Sequence, residues 1–316
     1  MKLLRQKFRG NLIPVLLIAA LASLLALAGC DQSETADEET SEEPGLSTVE
    51  LSVKNLEPLE EGDYEGWVIT GDEKISFGKF NVDDTSEFVD MNGKTIDEFE
   101  TGAEVETADA FAISIEPDDD SDEGPSKSLI LFGEANDNKA KLEFDAVDFE
   151  KLEGQFILGT PTNDPAEQET AGIWFLDPAD KSASLKLPKA PAGWMYESWV
   201  VYKGESPLTT GRFTSPEDAD QFNGYSSKES PAPDFPGEDF IQNLPNGLAE
   251  PLLIDGGDSV AVISIDPDID GLDPTGDKPF QLKPLTGKIT KDAADHTLFD
   301  LTLDQETLPT GTTKLK

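Results

Sequence analysis

The sequence is poor in the residues that build disulfides and zinc sites. It contains one cysteine, Cys30, and one histidine, His296, among 316 residues. A single cysteine forms no disulfide within the chain, so stability has to come from buried apolar surface. Zinc sites and Cys–His nucleophilic pairs need more of these two residues, and no nucleophile-elbow sequence supplies a positioned serine. We therefore expect no enzyme, no catalytic residues, no metal site built on His296 and no cofactor.

Basic residues are also scarce. The chain has 24 Lys and Arg against 65 Asp and Glu, a formal net charge of −41. This balance excludes general nucleic-acid binding, which requires a basic footprint. It also argues against adhesion of the molecule as a whole to an anionic lipid surface. Two explanations of the acidity stay open: solubility in a crowded compartment, or adaptation to high salt, where screening makes dense anionic surfaces tolerable.

After residue 30, no stretch of useful length has the period of an amphipathic helix. Short apolar runs of β-branched and aromatic residues are separated by turns that draw on 22 Pro and 26 Gly. Many short strands with frequent turn residues are typical of sandwiches and barrels. The sequence therefore predicts an all-β fold.

The amino terminus has the features of an export signal. Four basic residues lie in the first nine positions, an apolar run covers residues 12–28, and small residues follow. The ending Leu27-Ala28-Gly29-Cys30 resembles the bacterial lipobox, in which the cysteine is lipidated and the chain is cut just before it. The prediction is a lipoprotein signal peptide at residues 1–29 with Cys30 as the lipidation site. The alternative is an uncleaved anchor helix with an incidental cysteine.

An acidic stretch follows the predicted lipidation site. Residues 31–48 carry seven acidic side chains and no basic ones. Such a segment buries too little apolar surface to fold, and its like charges extend it beyond the roughly 25 Å expected of a neutral flexible chain. We therefore predict a disordered tether at residues 30–48.

A short motif occurs twice in the rest of the chain. The first copy reads Tyr64-Glu65-Gly66-Trp67-Val68 with Gly78-Lys79-Phe80, and the second reads Tyr196-Glu197-Ser198-Trp199-Val200 with Gly211-Arg212-Phe213. Each copy is followed by an apolar strand that ends in Ser-Ile-acid-Pro-Asp. Internal repeats of this kind indicate duplicated structural units. We predict two related immunoglobulin-like β-sandwich units, at residues 49–149 and 150–316.

These motifs resemble the extracytoplasmic, carboxy-terminal domain of the anti-sigma-K factor family. The residues that carry the resemblance are the two motif copies, Ile113-Ser114-Ile115-Glu116-Pro117 with Pro125 and Gly133, and Ile263-Ser264-Ile265-Asp266-Pro267 with Pro279 and Gly287. The resemblance implies a β-sandwich fold and a location in the envelope. Only eleven residues precede the apolar run, and acidic residues replace the family's Gly-Gly after Glu-Pro. Direct binding to a sigma factor is therefore not expected.

One acidic run has the spacing that begins a calcium loop. Asp266, Asp268 and Asp270 precede Gly271, with Asp277 at the twelfth place, where an EF-hand has Glu. The first unit has Glu116, Asp118 and Asp120, but Ser121 at the glycine place. In so acidic a chain this spacing also arises by chance, as a solvated turn at a strand end. Paired carboxylates of a glycosidase kind are likewise not excluded by counting.

The sequence thus favours a non-catalytic binding or regulatory module, lipid-anchored to a bacterial membrane on its periplasmic face. The inner and outer membranes stay open as alternatives. Its expected partners are the membrane, through the anchor, and an envelope protein. The alternative is a structural or calcium-binding envelope lipoprotein without a signalling role. We expect binding specificity where the two units differ, in the acidic loops after Pro117 and Pro267 and in the Pro-rich residues 215–251.

Overall fold

The computed structural model describes residues 46–118, 120, 124–163, 168–270, 272, 278–306 and 308–316. The predicted signal peptide, Cys30 and nearly all of the predicted tether lie outside this part of the chain. Residues 43–316 form one compact unit, and its buried apolar residues make one continuous core. Among the described residues, no helix has the length and apolar character needed to cross a membrane.

The described chain consists of antiparallel β-strands and two short 3₁₀ helices, which confirms the predicted all-β fold. The first strands are β1 (Thr48–Lys54), β2 (Asp63–Thr70), β3 (Glu73–Val82), β4 (Phe88–Val89), β5 (Phe99–Glu100), β6 (Ala110–Glu116), β7 (Leu129–Glu134) and β8 (Lys139–Glu143). Next come β9 (Glu153–Leu158), β10 (Gly172–Trp174), β11 (Leu176–Asp177), β12 (Ser182–Ala183), β13 (Leu185–Lys186), β14 (Trp194–Tyr202) and β15 (Ser206–Phe213). The last are β16 (Gly237–Asp239), β17 (Ser259–Pro267), β18 (Leu285–Ile289), β19 (Phe299–Asp300), β20 (Thr302–Leu303) and β21 (Thr310–Leu315), and the 3₁₀ helices are Phe149–Lys151 and Pro245–Gly247.

Three sheets contain most of these strands. The largest has the order β4-β3-β2-β6-β7-β8-β21-β1-β5. A second has the order β15-β14-β17-β18-β20, and a third has β13-β9-β10-β16, with β19 also paired to β9. Strands β11 and β12 form a separate pair. The alternating β8 buries every second residue, whereas β6 is buried on both faces, including its polar Ser114 and Glu116.

The two motif copies occupy equivalent positions in their sheets. Strand β2 lies between β3 and β6, and β14 lies between β15 and β17. In both hairpins the register shifts at the residue before the tryptophan, at Gly66/Trp67 and at Ser198/Trp199. The strand sets β3-β2-β6-β7 and β15-β14-β17-β18 therefore have the same order and the same irregularity.

Side-chain contacts repeat as well. The indole Nε1 of Trp67 donates to Ser114 Oγ at 2.8 Å, and that of Trp199 donates to Ser264 Oγ at 3.1 Å. The rings of Tyr64 and Phe80 lie 5.7 Å apart, and those of Tyr196 and Phe213 lie 5.6 Å apart. All four tyrosine and tryptophan side chains of the motif copies are buried. The motif therefore supplies packing residues for each strand set.

The last strand crosses from the second half of the sequence into the largest sheet. Strand β21 pairs with β8 on one side and β1 on the other, both antiparallel. The sequence analysis assigned these residues to the unit at 150–316, and it did not predict a strand there that pairs with strands of the first unit. Its short Thr-rich sequence, with two buried residues, gives little apolar signal.

Polar and aromatic side-chain contacts also join the part of the chain that carries the first motif copy to the part that carries the second. The side-chain Nε2 of Gln281 donates to Tyr64 Oη at 2.7 Å, and its Oε1 accepts from Glu57 N at 2.8 Å. Trp194 packs edge-on against Phe144 at 5.1 Å. The two motif-bearing halves of residues 43–316 therefore share one core and a buried hydrogen-bond link.

Candidate functional site

Residues 215–251, which have no counterpart in the first strand set, lie against the sheet that contains β9 and β10. The segment leaves the end of β15, and its β16 pairs antiparallel with β10. The close pairing requires Gly237, whose φ is +150°, because a Cβ there would lie 2.6 Å from both the Ile173 carbonyl oxygen and the Trp174 ring. The segment predicted to carry specificity is therefore built onto the edge of a sheet.

Asp239 joins three parts of the chain. Its Oδ1 accepts a hydrogen bond from Trp174 Nε1 at 2.8 Å, and its Oδ2 accepts one from Thr162 N at 2.9 Å. The Thr162 hydroxyl also donates to this carboxylate. Thr162 Oγ1 in turn accepts from Ser227 N at 3.0 Å. Fully buried, Asp239 satisfies donors from β10, from the loop after β9 and, through Thr162, from the inserted segment.

Two further carboxylates hold the segment from within. Glu238 Oε1 accepts from the backbone N of Tyr225 and of Ser226, each at 2.6 Å. Asp220 accepts from Phe222 N at 2.8 Å and from Gly237 N at 2.9 Å. Carboxylates that accept several backbone N–H groups fix the path of a loop without a regular ladder. These side chains therefore determine the conformation of residues 220–239.

Burial changes the ionisation of all three carboxylates. It raises the pKa of Glu238 to about 8 and that of Asp220 to about 6, against the opposing effect of the backbone hydrogen bonds. Burial also raises the pKa of Asp239, although Thr162 and Trp174 stabilise its charged form. Near neutral pH, Glu238 therefore holds a proton for much of the time, while its Oε1 accepts the two backbone hydrogen bonds.

A small cavity of about 200 Å³ lies beneath this segment. Its walls combine the aromatic rings of Trp174, Phe222 and Phe235 with the carboxyl groups of Asp220 and Glu238. A small number of convergent polar groups within an apolar, aromatic wall is typical of small-molecule and peptide-side-chain sites.

A larger groove of about 600 Å³ adjoins it. The two spaces share Trp174, Ala232, Pro233 and Phe235, so residues 231–235 separate them. The far side of the groove is lined by Ile157, Pro161, Leu176 and His296. We call these two spaces and the residues 231–235 between them the Pro-rich cleft. It offers a proline- and aromatic-lined surface with acidic residues in both spaces, Asp220 and Glu238 in the cavity and Glu217 and Asp234 in the groove.

The titratable side chains that line the cleft lie apart from one another or accept hydrogen bonds from the backbone. His296 is about half exposed, and its Nε2 and Nδ1 lie 3.8 Å from Glu169 Oε2 and Asp295 Oδ1. These distances exceed hydrogen-bond reach. Asp220 and Glu238 already accept backbone N–H groups. No nucleophile–base pair within hydrogen-bond distance lines the described part of the cleft.

The acidic runs proposed as calcium loops divide between buried and exposed positions. Asp266 is buried beside Glu197, and burial together with Asp266 raises the pKa of Glu197 far above its ordinary value. In the first strand set, Glu116 is buried and accepts from Ser126 N at 2.8 Å. Within the described residues, no three acidic or histidine side chains gather as a metal site. Gly271, Asp277 and Ser121 lie outside the described residues, so the calcium prediction stays a prediction.

The sequence reasoning did not single out Asp220, Glu238 or Asp239. The signal for two of them was present in the run Gly-Glu-Asp-Phe-Ile, where charged residues stand between a glycine and two apolar residues. The sequence analysis marked this run only as part of the Pro-rich residues 215–251, in which the two units differ. No family model, curated protein or solved structure matches the chain. The resemblance to the anti-sigma-K factor family therefore stays a prediction.

Proposed function

We propose that this chain is a lipid-anchored, non-catalytic binding module of the bacterial cell envelope, with the Pro-rich cleft as its binding site. The observation that carries the proposal is the construction of residues 215–251. Two buried carboxylates, Glu238 and Asp239, and the half-buried Asp220 hold a segment that the first strand set lacks and that lines the cleft. Buried carboxylates cost desolvation free energy, so their use to shape one surface favours a function for that surface.

The two strand sets supply the scaffold in this proposal. Their matched order, register shifts and tryptophan–serine hydrogen bonds support the interpretation that they are related immunoglobulin-like units. The motif resemblance to anti-sigma-K factor extracytoplasmic domains adds a regulatory role, in which the cleft binds an envelope protein and no sigma factor is bound directly.

Site-specific crosslinking tests the binding site. The photoreactive amino acid p-benzoylphenylalanine replaces Phe235 in the cleft or, as a matched control, the half-buried Phe88 on β4, and cells are irradiated. We expect a discrete crosslinked protein from position 235 that is absent from position 88. The same products from both positions, or none from 235, would contradict the proposed site.

Metabolic labelling tests the anchor separately. With radiolabelled palmitate, we expect label on the unmodified chain and loss of label in Cys30→Ser. An unmodified chain that stays in the membrane without label would favour the uncleaved anchor helix.

The second candidate is a structural or calcium-stabilised envelope lipoprotein. Asp266, Asp268 and Asp270 favour it through their spacing. Calorimetric titration of calcium into residues 43–316 separates the candidates, because binding heat that disappears in Asp268→Asn/Asp270→Asn supports the calcium site. No heat at millimolar calcium excludes it.

A further inference from the structure

The charged residues in the described lining of the small cavity of the Pro-rich cleft are both acidic. They are Asp220 and Glu238, and no lysine, arginine or histidine lines this cavity with them. In the part of the chain that the structure describes, every ion pair within 4.0 Å joins other residues, so neither carboxyl group has a basic partner there. The cavity therefore has a negative electrostatic potential whenever either group is ionised.

Three aromatic rings complete the walls of this cavity. They belong to Trp174, which is buried, and to Phe222 and Phe235, which are half-buried. None of the three side chains is part of the continuous apolar core of the described residues. Phe222 instead packs edge-on against Tyr225, with ring centroids 4.9 Å apart. Rings that line a cavity without contributing to the core are available for contacts with a ligand.

Several N–H donors beside the cavity are already used within the protein. Trp174 Nε1 donates to Asp239 at 2.8 Å, so its indole offers the π-surface of the ring. The backbone N of Phe222 and of Gly237 donate to Asp220 at 2.8 and 2.9 Å. An anion in the cavity would compete with these acceptors and be repelled by them. A cation is attracted both by the carboxylates and by the faces of aromatic rings.

The carboxyl groups keep acceptor capacity for a ligand. Oδ1 of Asp220 accepts from Phe222 N and Oδ2 accepts from Gly237 N, whereas an ionised carboxylate has about four lone-pair sites. Burial raises the pKa of Asp220 to about 6 and that of Glu238 to about 8, because it disfavours their charged forms. A bound cation favours these charged forms. The walls therefore suit a cation that carries N–H donors.

The size of the cavity limits the ligand to a single group. Its volume of about 200 Å³ is below the about 300–1,000 Å³ that is typical of sites for drug-sized molecules. The adjoining groove of about 600 Å³ shares four lining residues with the cavity and is rich in proline. It offers space for the chain that carries such a group.

We propose that the small cavity binds the guanidinium group of an arginine side chain, presented by the protein partner that the cleft recognises. A guanidinium group is planar and always charged, stacks on aromatic rings and donates paired hydrogen bonds to carboxylates. It therefore matches the three rings and two acids better than a compact ammonium does. The inference rests on the proposed function only for the source of the arginine, a protein of the envelope.

Nuclear magnetic resonance titration of residues 43–316, the compact unit with its own core, tests the cavity directly. The titration is made at about pH 8, where Asp220 is mostly ionised and Glu238 is ionised for about half of the time. We expect N-acetyl-arginine amide to bind saturably and to shift the indole N–H signal of Trp174. N-acetyl-citrulline amide has nearly the same shape without the charge and should bind at least about tenfold more weakly. Equal affinities, or no shift with arginine amide at about 50 mM, would overturn the proposal.

A charge variant and its matched control test the two acids. Glu238→Gln keeps a carbonyl oxygen for the backbone N–H groups, and Asp220→Asn keeps one for one of its two. In the double variant we expect the affinity for arginine amide to fall at least about tenfold. Glu134→Gln/Glu143→Gln removes two exposed acids outside the cleft and should stay within about twofold. Equal losses in the two double variants would contradict the site.

A ring variant tests the cavity without any change of charge. Phe222→Leu should weaken the binding of arginine amide about threefold or more, because a leucine side chain has no π-face. Phe88→Leu, at the half-buried ring on β4, should leave the affinity unchanged. This pair decides the question even if the double charge variant fails to fold, and an unchanged affinity in Phe222→Leu would contradict the aromatic contact.

Two other cations identify the recognised group. Tetramethylammonium has no N–H donor and N-acetyl-lysine amide has a compact ammonium, so we expect both to bind more weakly than arginine amide. Tighter binding of either would overturn the assignment to a guanidinium group.

Crosslinking from position 235 separates this inference from the proposed function. A crosslinked protein, together with equal binding of the arginine and citrulline amides, would overturn the inference and leave the proposed function. Selective binding of arginine amide without any crosslinked protein would support the guanidinium site and overturn its assignment to a protein partner.

Discussion

The strand sets β3-β2-β6-β7 and β15-β14-β17-β18 use the same packing plan with different additions. Each buries a tyrosine against a phenylalanine and hydrogen-bonds a tryptophan to a serine on the adjacent strand. Each also has a hydroxyl that donates to the motif glutamate, Ser76 to Glu65 at 2.6 Å and Thr209 to Glu197 at 2.5 Å. The shared residues therefore maintain the sheet, and binding has to be sought among the residues that differ.

At one pair of neighbouring positions the two sets differ, and the change in size at one position is offset by the change at the other. Gly66 in the first set corresponds to Ser198 in the second, and their neighbours on the next strand are Phe77 and Thr210. A Cβ at Gly66 would lie 1.9 Å from the Phe77 ring, whereas Ser198 and Thr210 share a hydrogen bond of 2.5 Å. The first set fills the space with one large ring, and the second fills it with two small polar side chains.

The larger difference is the connection that leads to the third strand of each set. In the first set the connection between β3 and β6 contains β4 and β5, which extend the same sheet at opposite edges. In the second set the connection between β15 and β17 joins a different sheet through β16 and encloses the Pro-rich cleft. The connection of the first set therefore extends its own sheet, whereas that of the second set lines the proposed binding site.

The largest expected effect is the loss of the carboxylate that only the second set has. Asp239→Ala removes the acceptor of Trp174 Nε1 and of Thr162, so buried donors lose their partners. We expect the free energy of unfolding to fall by about 4 kcal/mol, measured by urea denaturation of residues 43–316. The exposed Glu134→Ala serves as control. A loss below about 1 kcal/mol would mean that Asp239 does not hold the segment.

The next largest effect is expected when Gly66 and Phe77 are replaced by the residues of the second set, serine and threonine. Gly66→Ser forces the new side chain into the Phe77 ring, and we expect a destabilisation of about 3 kcal/mol. Phe77→Thr alone leaves a cavity beside Phe99 and should cost about 3 kcal/mol. The double variant reproduces the second set, so it should be more stable than the sum of the single changes predicts. Strict additivity in urea unfolding would show that the two positions are not coupled.

Sequence patterns were sufficient for the elements that alternate or repeat. The motif strands β2 and β14, their hairpin partners and the strands β6 and β17 follow from apolar runs, because burial on one or both faces dictates residue type. Strand β21 was missed because its pairing is set by β1 and β8, which are distant in sequence, while its own residues are mainly threonine and lysine.

The candidate site was predictable only in outline. Proline content and length marked residues 215–251, but the roles of Asp220, Glu238 and Asp239 depend on backbone N–H groups that come close only after folding. In a chain with 65 acidic residues, composition does not distinguish a buried carboxylate from a solvated one. The three-dimensional path of the backbone makes that distinction.

The pH dependence of stability should come in part from Glu238. Its pKa of about 8 in the folded chain lies above the ordinary value of 4.5, so the folded state keeps a proton that the unfolded state loses. Its contribution to stability is complete below about pH 4.5 and is lost as the pH rises towards about 8. We expect a decline of about 2 kcal/mol that Glu238→Gln removes.

The measurement is the free energy of urea unfolding of the unmodified protein and of Glu238→Gln between about pH 4.5 and about pH 8. Asp220, whose pKa is about 6 and whose charge raises that of Glu238, contributes a smaller decline in the same direction that the variant retains. The exposed Glu143→Gln should leave the pH profile unchanged. An unaltered slope in Glu238→Gln would show that Glu238 is charged in the folded chain.

The smallest expected effects are the losses of unfolding free energy when each tryptophan–serine hydrogen bond is removed. Ser264→Ala leaves the buried Trp199 Nε1 without its acceptor and should cost about 1 kcal/mol. Ser114→Ala does the same to Trp67 and also removes the hydroxyl that donates to Glu116, so about 2 kcal/mol is expected. The difference in urea unfolding measures what the first set gains from linking its tryptophan to a buried acid. Equal losses would show that Ser126 N alone satisfies Glu116, and the two strand sets would then be energetically equivalent at their most similar contact.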